Sequence, residues 1–286
     1  MKHKGLFWGI MGISFVVGCV LVALGVAMGG TLGNVSDFWD LGEEDSVQIE
    51  ENIMDDTEIM KSFEDINVKN LDFDLSACDV TIIEGDQFSV SGSKIESSFR
   101  EDEDGQTWYL RSPKRKWYHW LTNRAGGEWT ITLPRDHQFE TVNINFAAAD
   151  MDIEKLSAKT LTLKGGAGDA TIEKLTVSES VNLTVGAGEI DVVSGDITGT
   201  SRIKCGAGEM SLNLTRLAGE MTADCGMGEI DFVLPGARED YSISTKTGMG
   251  SIDVDGESGK RLTTDGNTLA TLDLTCGMGE IQVDFE

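Results

Sequence analysis

A seven-residue motif recurs along this chain at a nearly fixed interval and constrains the fold more than any other feature. Clear copies begin with a glycine, as in GAGEMSL at Gly206 and GMGEIDF at Gly226. The eight copies start at Ser76, Ala147, Gly166, Gly186, Gly206, Gly226, Gly248 and Gly277. Between Ala147 and Gly226 the starts lie 19 or 20 residues apart. A fixed period of this size is typical of stacked repeat architectures.

Apolar residues alternate on both sides of each glycine pair. In one unit the apolar positions are Val181, Leu183, Val185 and Ala187, then, one residue out of phase, Ile190 and Val192. We interpret each unit as two short strands that meet at a corner, with Ala187 facing inward and Gly188 supplying an unusual backbone angle. The glycines with this structural role are Gly166, Gly168, Gly186, Gly188, Gly206, Gly208, Gly226, Gly228, Gly248, Gly250, Gly277 and Gly279.

Stacking such units at a strand spacing of about 4.8 Å buries a continuous strip that no single unit could bury alone. The sequence therefore predicts an all-β fold, a parallel β-solenoid of about eight coils over residues 66–286. The period breaks at residues 91–128, where we predict an antiparallel hairpin insertion. Its two strands would be the alternating segments 107–110 and 129–133, with Pro113 and Gly126-Gly127 marking turns.

The N-terminal residues predict a membrane anchor. Leu6 to Met28 are 23 residues without a charge, long enough to cross a hydrocarbon core of about 30 Å. We assign residues 5–30 to one transmembrane helix and the basic residues 1–4 to the cytoplasm, which places the C-terminal domain outside the cell membrane. Two alternatives stay open, a signal peptide cleaved near residues 25–27 and a lipoprotein lipidated at Cys19.

Acidic residues dominate the rest of the chain. Residues 31–65 predict an acidic linker or short acidic helices. The formal net charge is −26, and such a surface repels phosphate backbones, so we expect no nucleic-acid partner.

Three stretches resemble a known family. They are NVKNLDFDLSACDVTIIEGDQFSV from residue 67, WTITLPRDHQFETVNINFAAADMDI from residue 129, and the run of GAGEIDV-like units. Over residues 66–286 the chain resembles the β-strand-repeat "putative adhesin" domain of LiaG-like bacterial envelope proteins. The resemblance implies a surface location, an adhesive role and the winding of right-handed β-helices. It transfers no catalytic residue, because the family has no established activity.

The fourth position of the motif is acidic in seven of eight units, and stacking would align these carboxylates. Calcium takes six to eight oxygen ligands, so we consider Asp150, Asp169, Glu189, Glu209 and Glu229 as candidate calcium ligands. The alternative is a solvated corner that keeps the solenoid soluble. No other cofactor is expected.

Cysteines precede the glycine pair in three units, at Cys205, Cys225 and Cys276. The register points them inward, as small core residues. A disulfide between Cys205 and Cys225 is an alternative, because adjacent coils would bring their Cα atoms within the permitted distance.

A basic aromatic segment is the compositional outlier. Its candidate binding residues are Arg111, Lys114, Arg115, Lys116, Trp117, Tyr118 and Trp120. This segment could contact lipid headgroups, a cell-wall polymer or another envelope protein. Alternatively, it could form salt bridges with carboxylates of the solenoid and so cap the solenoid's N-terminal end.

The composition favours a non-catalytic protein. Right-handed β-helices include polysaccharide-cleaving enzymes, but those need long loops that build a cleft, and most loops here are short. We therefore predict a membrane-anchored binding, adhesion or scaffolding module at the cell envelope. The alternatives are a sensory or regulatory component of an envelope-stress system and, with less support, an enzyme that cleaves polysaccharides.

Overall fold

The computed structural model describes residues 59–63, 68–76, 78–92, 96–102, 105–112, 127–259, 261–264 and 269–286. In these ranges the chain is all β, one hydrogen-bonded sheet of strands with a 3-10 turn at Arg238–Asp240. The first strands are β1 (Ile59–Phe63), β2 (Val68–Leu75), β3 (Asp79–Gly85), β4 (Phe88–Gly92), β5 (Glu96–Asp102), β6 (Gly105–Arg111), β7 (Glu128–Pro134), β8 (Phe139–Phe146), β9 (Asp150–Ile153), β10 (Leu156–Gly165) and β11 (Asp169–Ile172). The others are β12 (Leu175–Val185), β13 (Glu189–Cys205), β14 (Glu209–Cys225), β15 (Glu229–Leu234), β16 (Tyr241–Thr247), β17 (Ser251–Val254), β18 (Glu257–Ser258), β19 (Thr263–Thr264), β20 (Ala270–Cys276) and β21 (Glu280–Phe285).

No helix in the described part of the chain has the length and apolar character needed to cross a membrane. The predicted anchor at residues 5–30 and the basic residues 1–4 lie outside the described ranges.

Each repeat unit contributes one strand before its corner and one after it. The strands pair in parallel with the same positions of the next unit, so that Leu183 lies opposite Leu163 on one side and Ile203 on the other. Beyond the corner, Ile190 lies opposite Ala170 and Met210. The predicted parallel, solenoid-like repeat is thus confirmed, and the sheet curls because every unit turns at the same place. The right-handed winding that the family resemblance implies stays a prediction.

The order of the units in space differs from their order in sequence. The C-terminal unit, β20 and β21, is inserted between the unit of β14–β15 and the unit of β16–β17. Residues 255–269 connect β17 to β20 and allow the chain to return past its own terminal coil. Consequently the corners stack in the order 186, 206, 226, 277 and 248.

The antiparallel pairing predicted for segments 107–110 and 129–133 is wrong. Strand β6 pairs in parallel with β2, and β7 pairs in parallel with β3, so the two are successive sides of one further coil. The insertion does contain an antiparallel hairpin, formed by β5 and β6. The apolar alternation of both segments is that of the repeat, which is why they join the stack rather than pair with each other.

Antiparallel strands cover the edge of this added coil. Strand β4 pairs with β7, and β1 pairs with β4. Residues 59–63 therefore belong to the sheet and not to the linker predicted for residues 31–65. Covering strands remove exposed backbone donors and acceptors, which would otherwise recruit another chain.

The core is a continuous apolar strip inside the curled sheet. Inward positions such as Leu163, Leu183, Ile203, Ala223 and Leu274 are fully buried. At the added coil, Trp108 packs edge-on against Phe73 and Phe88, with ring centroids 5.7 and 5.9 Å apart. Its indole nitrogen donates to the Ser97 hydroxyl at 3.0 Å. Aromatic side chains thus fill the end of the strip where the repeat pattern stops.

The corner glycines are required for close approach and not, as predicted, for an unusual backbone angle. The positive φ angles of the described glycines occur at Gly92, Gly105, Gly199, Gly219, Gly236 and Gly256. At the corners, a Cβ on Gly188 would overlap the carbonyl oxygen of Gly168 in the next coil, and one on Gly206 would lie 2.6 Å from that of Gly186. Stacked corners therefore touch backbone to backbone, and no side chain fits between them.

Candidate functional site

The stacked corners form a groove of about 830 Å³ along the outside of the sheet. Its floor consists of the second glycine of each unit, at Gly188, Gly208, Gly228, Gly279 and Gly250. Neighbouring backbones are joined there by hydrogen bonds such as Met227 N–H to Gly206 O at 2.7 Å and Glu229 N–H to Gly208 O at 3.0 Å. Because glycine has no side chain, the floor of the groove consists of backbone atoms alone.

Carboxylates line the groove on the C-terminal side of each second glycine. In stacking order they are Asp169, Glu189, Glu209, Glu229 and Glu280, followed by Ser251. The register confirms that stacking aligns the acidic positions. Asp150 lies opposite Asp79, which lies opposite Glu128, and these residues carry the acidic column into the coils at the other end.

Like charges held opposite one another destabilise a sheet, and the acidic column shows this cost. Partial burial, then the charges of Glu209 and Asp169, raise the pKa of Glu189 above its ordinary value. Part of the compensation is local, because the Asp169 carboxylate accepts a hydrogen bond of 3.1 Å from the Glu189 N–H. None of the ion pairs among the described residues involves a carboxylate of the groove.

A second acidic residue, Asp231, lies two positions after Glu229 in the same strand. Burial, followed by the charges of Glu229 and Glu209, raises the pKa of Asp231. One of its carboxylate oxygens is buried without a hydrogen-bond partner among the described residues. The groove is therefore bordered by carboxylates whose negative charge is not balanced by ion pairs within the described sheet.

The predicted calcium binding stays a prediction. Over the described ranges, no group of three or more His, Cys, Asp or Glu side chains is arranged to hold a metal ion. The column presents one carboxylate per coil, whereas calcium requires six to eight oxygens around a single point.

The middle residue of the glycine motif borders the groove on its other side, and here the prediction was wrong. Ala187 was expected to face inward, but it is exposed and lines the groove, as does Met278. Residues 186–189 are all exposed or half-buried, and the chain turns inward again at Ile190, so the alternation slips earlier than predicted. The middle position is alanine in three lining units and methionine in three, at Met227, Met278 and Met249.

The predicted inward orientation of the cysteines is confirmed. Cys205 lies opposite Cys225, and Cys225 opposite Cys276, and all three are buried free thiols. The thiols of Cys205 and Cys225 each donate to the carbonyl of the second glycine of their own unit, at 3.0 Å. The hydrogen bond with Cys205, together with burial, raises the pKa of Cys225, and burial raises that of Cys276. Thiols with raised pKa values are poor nucleophiles at neutral pH.

Of the predicted basic aromatic site, Arg111 is described and Lys114, Arg115, Lys116, Trp117, Tyr118 and Trp120 lie outside the described residues. The Arg111 guanidinium lies 3.6 Å from the Asp74 carboxylate and 5.9 Å from the centre of the Tyr109 ring. Arg111 is therefore engaged by its own sheet, and a binding role for the segment stays a prediction.

Replacing Glu189 with glutamine is expected to stabilise the fold. A raised pKa means that the folded chain binds the proton more tightly than the unfolded chain, so the free energy of unfolding falls as the pH rises above the ordinary glutamate value. At pH 7, Glu189→Gln should raise the free energy of unfolding by about 0.2–1 kcal/mol, the usual cost of one opposed like-charge pair. Below about pH 4 the gain should vanish, because both states of the wild type are then protonated.

The matched control is Glu220→Gln. Glu220 is also exposed on a strand, but its partners in register are Thr200 and Thr271. Thermal unfolding followed by circular dichroism between pH 3 and pH 8 measures both variants. An equal gain from Glu220→Gln would show that overall charge, and not the column, sets the effect.

Comparison with solved structures found similar chains. The crystal structure of a "putative cell adhesion protein" from Clostridium sporogenes is 13% identical, covers 80% of this chain and 99% of its own, and has a TM-score of 0.37. A "putative adhesin" from Bacteroides fragilis is 14% identical, with coverages of 80% and 98% and a TM-score of 0.40. Another from Parabacteroides distasonis is 11% identical, with the same coverages and a TM-score of 0.31. No curated protein matches the chain.

The sequence profile of one family extends over nearly the whole repeat domain. It matches residues 68–284, from the start of β2 into β21, and so includes the added coil as well as every corner of the groove. The chain belongs to the Toastrack DUF4097 family.

Proposed function

We propose that this protein is a non-catalytic binding module of the cell envelope, active in adhesion or scaffolding, and that the corner groove receives a lysine- or arginine-rich extended segment of another envelope protein. The observation that carries the proposal is the in-register column of carboxylates along a shallow groove. The N-terminal residues 5–30 would anchor the domain to the cytoplasmic membrane and present it on the outer side.

The geometry of the column favours a linear ligand. Carboxylates that recur once per coil are spaced by about 4.8 Å, the distance between neighbouring strands. A polypeptide in extended form can follow such a line, and long lysine side chains can reach successive carboxylates. The floor of the groove carries glycines, so the backbone of a ligand can approach closely without a side-chain clash.

Charge supplies both attraction and selectivity. The net charge of −26 steers cationic partners toward the domain and repels anionic ones. A single exposed ion pair contributes about 0–1 kcal/mol, so useful affinity requires several contacts at once. Binding of this kind weakens as salt is added, because exposed charges are screened.

The same arrangement supports a non-catalytic role. General acid–base catalysis by carboxylates relies on a pair whose environments push their pKa values apart around a bound substrate. The column instead repeats one environment from coil to coil. A sensory role in an envelope-stress system would use the same binding event, with the anchored domain reporting it to a neighbouring membrane protein.

The test is the affinity of the full chain for an extended oligolysine peptide. We expect the Glu209→Gln, Glu229→Gln, Glu280→Gln triple variant to bind about 5–30-fold more weakly, since loss of two to three ion pairs removes about 1–2 kcal/mol. The wild-type affinity should also fall as salt rises from 50 to 300 mM.

A matched triple variant controls for net charge. Glu173→Gln, Glu220→Gln, Glu239→Gln removes the same number of charges at exposed positions outside the groove. If both triple variants lose affinity equally, the groove is not the binding surface. If neither loses affinity, the attraction is not electrostatic and the proposal fails.

A further inference from the structure

Three methionines form a column at one end of the groove. Met227, Met278 and Met249 hold the middle position of the glycine motif in three coils that are neighbours in space. The Met278 N–H donates to the Gly226 carbonyl at 2.8 Å, and the Met249 N–H to the Gly277 carbonyl at 2.8 Å. These bonds place Met278 between the other two, an order that the sequence hides because Met278 comes last along the chain.

Two of these side chains are exposed, and Met278 between them is half-buried. The exposed fraction is 72% for Met249 and 48% for Met227, whereas Met210 and Met221 of β14 are buried. In the three preceding coils the equivalent position is alanine, at Ala167, Ala187 and Ala207. The thioethers are therefore concentrated in one place on the surface, where they contribute nothing to the core.

Thioether sulfur is a soft ligand that prefers soft cations such as Cu(I) over calcium or magnesium. Metal–sulfur bonds are about 2.3 Å long, so two sulfurs that share one ion lie at most about 4.6 Å apart. Stacked strands are about 4.8 Å apart, and methionine has three rotatable bonds with which to close that small difference. The column spacing thus suits two or three thioethers around one ion.

We propose that Met227, Met278 and Met249 bind one soft monovalent cation, Cu(I) or Ag(I), at the surface of the groove. The carboxylates of Glu229 and Glu280 line the same part of the groove and attract the positive charge without being required as ligands. This site goes beyond the proposed function, because the peptide contacts depend on carboxylates and the ion contacts on sulfur.

Buried thiols are the competing soft ligands, and the structure separates them from this site. Cys225 and Cys276 lie on the inner side of the sheet, 4% and 1% exposed. The Cys225 thiol is held in a hydrogen bond to the Gly228 carbonyl. An ion arriving from solvent meets the methionines first.

The experiment is a titration of the full chain, labelled with carbon-13 on its methionine methyl groups, with Ag(I) as a redox-stable probe. Single methionine-to-leucine variants assign the signals. We expect the methyl signals of Met227, Met278 and Met249 to shift together and saturate at one equivalent, while those of Met210 and Met221 stay in place. Met278→Leu should weaken Ag(I) binding by at least about 10–100-fold, the loss typical even of a residue that only supports a metal ligand.

Met210→Leu is the control, since it removes a buried thioether and conserves volume. The proposal is overturned if the three methyl signals do not move, or if Met278→Leu takes up Ag(I) as tightly as Met210→Leu does, since the thiols would then be the ligands.

Discussion

Gly188→Ala is expected to lower the free energy of unfolding by about 3 kcal/mol or more, at the upper end of the range for overpacked sites. The added Cβ would overlap the carbonyl oxygen of Gly168 and crowd the peptide nitrogen of the same residue. Backbone atoms cannot rotate away as a side chain can, so the two coils must separate. Separation would stretch the hydrogen bond from the Ala187 N–H to the Gly166 carbonyl, now 2.8 Å.

The control is Gly195→Ala in β13, the strand that begins directly after Gly188. There the new Cβ would meet the end of the Leu214 side chain at 2.5 Å, and a leucine methyl can shift at a cost of about 1 kcal/mol. Denaturant unfolding of both variants gives the comparison. A loss at Gly188 no larger than that at Gly195 would mean that the stacked corners yield readily, contrary to the packing described for them.

Trp108→Ala is expected to cost about 3–5 kcal/mol, the usual range for removing a large aromatic side chain from a core. Trp108 is fully buried and stacks on Phe99 with ring centroids 5.6 Å apart. It also packs edge-on against Phe73 of the neighbouring strand β2 and against Phe88 of β4. Its loss would empty the end of the apolar strip and leave the Ser97 hydroxyl without its indole donor.

Tyr109→Ala on the same strand provides the contrast. Tyr109 faces outward, and its ring lies below the guanidinium groups of Arg100 and Arg111 at 5.6 and 5.9 Å. Exposed cation–π contacts contribute about 0.5–1 kcal/mol each, so a loss of roughly 1–2 kcal/mol is expected. If Trp108→Ala costs no more than Tyr109→Ala in chemical denaturation, the added coil is a separable flap and not part of the cooperative core.

The period of the sequence predicts the strands and corners well, because one residue pattern repeats wherever the backbone repeats. Inward residues such as Leu183 and Ile190 follow directly from alternation. The order of the coils does not follow, since the unit at Gly277 carries the same pattern as the unit at Gly248 and either could stack on the unit at Gly226. Residues 255–269, which connect β17 to β20, are long enough to allow the observed order of the coils, but they lie outside the repeat period.

The sequence did not reveal the added coil, because the motif at its corner is degenerate. Gly126-Gly127-Glu128 is a degenerate copy of the motif, and Glu128 lies in register with Asp79 in the acidic column. The residues between β6 and β7 separate the two sides of the coil so widely that the period is lost. Local alternation then resembles an ordinary hairpin, and only the pairing of β6 with β2 reveals the repeat.

Of the two columns of side chains that line the groove, the sequence predicts one. The acidic column follows from the motif, because position four lies beside itself in every coil. The methionine column was missed, since the middle position of the motif, represented by Ala187, was placed on the inner side by extending the alternation one residue too far. The methionine column could have been identified from the middle position of the motif, which changes from alanine to methionine in three units. A core position of fixed volume would not tolerate that change freely.

Carboxylate footprinting of the full chain, with and without bound oligolysine, would identify which carboxylates the peptide covers. Carbodiimide coupling of an amine marks exposed carboxylates, and mass spectrometry reads the extent at each residue. We expect bound oligolysine to protect Glu209, Glu229 and Glu280 from labelling. Glu173, Glu220 and Glu239 should be labelled as in the free protein. Protection spread evenly over all six, or confined to the three outside the groove, would contradict the assignment of the corner groove as the binding surface.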